Sequence, residues 1–108
     1  MGYMRHHSIA VGSFKIEVLQ ELHERALEIF GPQVTPILTT PINGEAVFFI
    51  GPDGSKEGWS ESEDGDRKRL FFCKIVESYK YEDGSNSMKY CEFYWRDDDR
   101  EAEIVRHN

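Results

Sequence analysis

Three imidazoles lie close to the ends of this chain, His6, His7 and His107, and Glu103 lies near the last of them. Zinc takes three or four nitrogen, sulfur or oxygen ligands, so convergence of the two ends would give a site for a metal-dependent enzyme. The histidines lack the fixed short spacing of a metal motif, and surface histidines are the simpler reading. Pro52 to Gly58, "PDGSKEG", holds glycines and Lys56 and invites comparison with a phosphate loop. Such a loop runs into a helix that begins with Lys and Ser or Thr, whereas here Glu61, Glu63, Asp64 and Asp66 fill that place. Asp97, Asp99 and Glu101 alternate like calcium ligands but lack the glycine and the distal glutamate of an EF-hand. They are read as a solvated turn. Arg67-Lys68-Arg69 sits among acids and reads as an ion-paired helix surface. No serine, threonine or cysteine is placed beside an evident base, so no catalytic residue, metal or cofactor is assigned.

The chain as a whole narrows the choices further. Its 108 residues suffice for one domain, residues 1–108, with a single core, and residues 1–4 are expected to include cloning remnants. A formal net charge of -7 opposes binding to phosphate backbones, which depends on Lys and Arg. Direct nucleic-acid binding is therefore not expected. The apolar run Ala46 to Ile50 is too short to cross a bilayer, and the N-terminal residues lack the apolar stretch of a signal peptide. A cytoplasmic protein without membrane contact is the expectation. Cys73 and Cys91 fall within apolar patterns and read as reduced core residues.

These residues must be positioned by elements that the patterning predicts. Ser8 to Val11 suggests a strand. Ser13 is a candidate cap for a helix whose inward stripe is Val18, Leu19, Leu22, Ala26, Ile29 and Phe30, stopped by Gly31-Pro32. Val34 to Thr40 reads as an irregular edge strand, Asn43-Gly44 as a turn, and Glu45 to Ile50 as a strong strand. The turn Gly51-Pro52-Asp53-Gly54 is expected to lead into a partner strand over Ser55 to Trp59. A second helix then carries Phe71, Phe72, Ile75, Val76 and Tyr79 inward, ends near Asp83-Gly84, and is followed by a hairpin of Met88 to Trp95 with Glu101 to His107. The predicted fold class is α+β: a two-layer sandwich, β-α-β-β-β-α-β-β, with both helices on one face of a mainly antiparallel sheet.

The last hairpin carries a surplus of aromatic residues. With Cys91, Phe93 and Trp95 taken as core, Tyr90 and Tyr94 face away from the helices, beside Val105 and His107, and Phe49 joins them from the strong strand. These five residues form the predicted interaction surface, because several aromatics on one sheet face suit a binding or dimer contact.

The combination of Asn43-Gly44, "PDGSKEGW" at Pro52 to Trp59, "YEDGS" at Tyr81 to Ser85 and Arg106-His107 resembles a group of small bacterial and phage-type proteins to which no activity is attached. The resemblance implies one intact domain. The functional expectation is a non-enzymatic protein that binds itself or a protein partner through the outer sheet face. Two alternatives stand beside it: an acidic inhibitor that imitates nucleic acid through Asp64, Asp66 and Asp97 to Asp99, and a metal-dependent enzyme using His6, His7 and His107.

Overall fold

The computed structural model describes residues 4–97 and 101–108. Strand β1 (Arg5–Ser13) leads into helix α1 (Ile16–Phe30) and a 3-10 turn (Gly31–Gln33). Strands β2 (Leu38–Thr39) and β3 (Ala46–Ile50) follow, then helix α2 (Ser60–Glu77) and strands β4 (Lys89–Arg96) and β5 (Glu103–His107). The sheet order is β2-β3-β1-β4-β5, with every pairing antiparallel. Both helices cover one face, which makes the α+β two-layer sandwich that the patterning predicts.

The core follows from the two periodicities. Along α1, Leu19, Leu22, Ala26 and Phe30 are buried at helical spacing, with Val18 and Ile29 beside them. From the sheet, Ile9, Val11, Ala46, Phe48, Ile50 and Tyr90 meet that stripe, and Phe72, Cys73 and Val76 close it from α2. Phe48 and Phe72 have no exposed surface, and each such side chain stabilises the fold by about 2 to 3 kcal/mol. Ser13 accepts the Lys15 N–H at 3.0 Å just before α1, and Gly31, at φ 60°, ends the helix in a conformation that a side chain resists.

The strand expected over Ser55 to Trp59 is reduced to one bridge, Met4 to Lys56. Its physical cause lies in the glycines and in Asp53. Gly54 and Gly58 have φ of 80° and 90°, and Asp53 Oδ1 accepts both the backbone N–H and the hydroxyl of Ser55, capturing a donor that a ladder would need. The same Asp-Gly-Ser turn recurs at Asp83 to Ser85, where Gly84 has φ 89°.

A second correction concerns β4. Val11 pairs with Tyr90, Ile9 with Glu92 and His7 with Tyr94, so Tyr90, Glu92 and Tyr94 stand on the helix side of the sheet. Cys91, Phe93 and Trp95, expected as core, occupy the open side. A one-residue change of register exchanges the two sets completely. The outcome is set by α2, whose inward stripe includes the buried Arg69. That guanidinium, paired to Asp66 on its own helix, lies 3.4 Å from Glu92 on this face, which favours the observed set.

Candidate functional site

Two regions of this sandwich have the makings of a site: the uncovered sheet face, and a polar cleft on the other side, under α2.

The open face is built by the residues that alternate with the core set. Ser8, Ala10 and Gly12 run down the central strand β1. Val47 and Phe49 flank them on β3, and Cys91, Phe93 and Trp95 on β4. Leu38 extends the face beside Val47, and Ile104 and His107 extend it opposite Phe93 and Cys91. Leu38, Phe49, Trp95 and Ile104 are exposed by 55, 40, 39 and 64%. The small residues of β1 leave a shallow groove of ≈280 Å³ between the side chains of β3 and β4. Gly12 keeps it open: a Cβ there would stand 3.1 Å from Val47 Cγ1.

Of the five predicted interaction residues, Phe49 and His107 lie on this face. Tyr90 is instead buried beneath the helices, where burial and the nearby Cys73 and Glu77 push its phenol up to about 12. Tyr94 turns toward the cleft, with its hydroxyl on Glu103 and with Arg5 and Arg96 over its ring. Val105 also lines the cleft, at the irregularity in the β4–β5 pairing. The sequence signal for the correct face was present in α2. Gly65 and Arg69 fall on its apolar stripe with Phe72, Cys73 and Val76, and a buried arginine at that place favours a buried acid on the sheet.

The cleft has a volume of ≈390 Å³ between α2 and strands β1, β4 and β5. Glu92, almost fully buried, stands at its base: Arg106 Nη1 donates to Oε1 at 2.5 Å, and Arg69 Nε lies 3.4 Å from Oε2. Arg69 is also bonded to Asp66. Burial raises the Glu92 carboxyl above its ordinary value, while Arg106 and Arg69 pull the other way. His7, with a side chain 10% exposed, has Nδ1 3.8 Å from Glu92 and Nε2 3.9 Å from Glu57, beyond hydrogen-bond reach. Neither ring nitrogen has a hydrogen-bond partner. Burial, followed by the neighbouring Arg69, lowers its pKa to about 4, so the ring is neutral near pH 7. Cys73 lies 3.6 Å from Glu92, and burial with that acid beside it pushes the thiol up to about 12, which makes it a poor nucleophile.

The three terminal histidines do not converge. His6 is on the open side, bonded to Asp97 at 2.6 Å, while the adjacent His7 faces the cleft. His107 pairs with Cys91, four residues along β4 from the Trp95 that faces His6, a separation of about 13 Å. Glu103 is held by Tyr94. Among the described residues no cluster could hold a metal ion. Of the acids named for nucleic-acid imitation, Asp64 pairs with Arg67 and Lys68, Asp66 with Arg69, and Asp97 with His6. Asp98 and Asp99 lie outside the described residues. No described helix is long and apolar enough to cross a membrane. Compared with protein families, curated proteins and solved structures, the chain matches none.

Proposed function

We propose that this is a non-enzymatic protein that acts by association through its open sheet face, and that the occupant of the face is a second copy of the chain. The exposed side chains of Leu38, Phe49, Trp95 and Ile104 on one side of a two-layer sandwich carry this reading. An antiparallel sheet with one wet face ordinarily alternates polar outward residues with its core set. Here the outward set of β3 and β4 runs through Val47, Phe49, Cys91, Phe93 and Trp95.

Charge favours a second copy over other occupants. Despite the net charge of -7, the outward positions of the described strands contain no carboxylate, and Asp97 at the rim is bonded to His6. A basic partner would find no acids on this face. A nucleic acid would find Lys89 and little else with positive charge. An identical apolar face suits it, with the acids of both helices turned outward.

At about 4.8 Å between strands and 3.3 Å per residue, the face covers about 500 Å² per copy, near the lower bound for a specific interface. The expected outcome is a monomer–dimer equilibrium in the micromolar range, seen by sedimentation velocity over a concentration series. Phe49→Ser combined with Trp95→Ser should weaken it by about tenfold or more with an unchanged circular dichroism spectrum. A wild type that stays monomeric at millimolar concentration, or a dimer indifferent to both substitutions, overturns the proposal.

A further inference from the structure

The cleft under α2 is on the opposite side of the sheet from the proposed dimer face, and its polar groups are not used by that association. Its walls bring cationic groups together from three elements: Arg5 from β1, Arg67 from α2 and Arg106 from β5. Some buried polar atoms there make no hydrogen bond. Arg5 Nε lies within ion-pair range of Glu57 but makes no hydrogen bond, and neither nitrogen of the nearly buried His7 has a hydrogen-bond partner, which leaves the one N–H of its neutral ring without an acceptor. Buried polar groups are ordinarily satisfied, and an unpartnered imidazole beside three arginines points to an acceptor from outside.

We propose that this cleft binds a tetrahedral oxyanion, either free phosphate or the phosphoryl group of a larger molecule, held by Arg5, Arg67 and Arg106 with His7 among its donors. The supply of donors from three separate elements bears on the shape. A planar carboxylate matches one guanidinium fork, whereas a tetrahedral anion offers oxygens to groups arriving from three sides. The acids of the cleft leave room for it. Glu92 is engaged by Arg106 and Arg69, Asp66 by Arg69, and Glu57 lies beside Arg5. Arg67 is the least committed cation, since its contact with Asp64 at 3.5 Å joins two exposed side chains. Gly65 contributes from behind: a Cβ there would stand 3.0 Å from Arg69 Nη1, so its absence lets that side chain lie close along α2 toward Glu92.

The test follows the His7 ring by nuclear magnetic resonance during titration with inorganic phosphate, and separately with phenyl phosphate and acetate, at constant ionic strength. Saturable movement of the His7 resonances is expected with at least one of the two phosphates, with an increase in the His7 pKa because the bound anion favours the imidazolium. With affinity read by isothermal titration calorimetry, which does not depend on the ring signal, His7→Gln should weaken binding about tenfold and Arg67→Gln about threefold, as expected for a buried and an exposed contact. Arg67→Gln alters only exposed surface and keeps the test valid should His7→Gln unfold. Tighter binding of phenyl phosphate supports a phosphoryl group carried on a larger ligand, and tighter binding of inorganic phosphate supports the free anion. His7 resonances unmoved by either phosphate at about 50 mM, or moved equally by acetate, overturn the proposal.

Discussion

At the scale of single residues, Glu92 and His7 show how burial decides charge in this molecule. Glu92 is only 2% exposed, and its cost is offset by Arg106 and Arg69. Replacing it with glutamine leaves Arg106 without its counter-charge and the buried Arg69 with Asp66 alone. Glu92→Gln should therefore destabilise the fold by about 3 kcal/mol, read from the urea midpoint at neutral pH. His7 makes a prediction of opposite chemistry. Its pKa is about 4 in the folded protein and about 6.5 in an unfolded chain, so between those values the unfolded state binds a proton that the native state refuses. The contribution is complete above pH 6.5 and is lost as the pH falls toward 4. Glu92, whose carboxyl is raised, works in the opposite sense. Arg5, Arg69, Asp66, Asp53, Glu57 and Tyr94 also surround the imidazole, so the clean quantity is a difference between two proteins. Wild type should lose about 2 to 3 kcal/mol more than His7→Gln between pH 7.5 and pH 4, measured by denaturant unfolding at each pH.

At the scale of elements, the two Asp-Gly-Ser turns account for where strands stop. Asp53 and Asp83 each bind the serine two residues on, with a left-handed glycine between them. Gly54→Val should cost roughly 1 to 3 kcal/mol, because a β-branched residue is strained at φ 80°. Unchanged stability on chemical denaturation would mean that the turn relaxes freely. Gly65 behaves differently. Alanine ordinarily favours a helix interior, yet here its Cβ would meet Arg69 Nη1 and Asp53 Oδ2 at 3.0 Å. Gly65→Ala should forfeit the usual gain of about 1 kcal/mol and lower the unfolding midpoint. Helix α1 was legible in the sequence from one dominant apolar periodicity and clear ends, the start of α2 from its run of acids, and β3 from a short β-branched and aromatic run bounded by glycine turns. Strand β4 was not. Both of its faces are apolar enough to be core, so alternation defines two sets without saying which is inside. Arg69, on another element, breaks the tie. The cleft was hidden for the same reason: Arg5, His7, Arg69, Glu92 and Arg106 meet only after the strands are ordered β1-β4-β5 beneath α2.

At the scale of the whole molecule, the acids are concentrated on the helix layer, which also exposes Leu27, Leu70 and Phe71, and are absent from the outward positions of the described strands. Glu17, Glu21, Glu24 and Glu28 are carried by α1, and Glu61, Glu63, Asp64 and Asp66 by α2, while the outward sheet positions carry Lys89 and no acid among the described strands. Pairing two sheet faces would give four layers, helix-sheet-sheet-helix, with the acids on the outside. Each copy carries a net charge of -7, and the two repel over distances comparable to the Debye length, about 10 Å at 0.1 M salt and 30 Å at 0.01 M. The apolar contact itself contains little charge for salt to weaken. Self-association through the sheet face should therefore strengthen as sodium chloride rises from about 20 to 500 mM, and sedimentation velocity at fixed protein concentration should show a growing dimer fraction. A basic partner drawn to the acidic helix layer would respond with the opposite sign. A dimer that dissociates as salt increases would place the contact on the charged helices and remove the open sheet face from consideration.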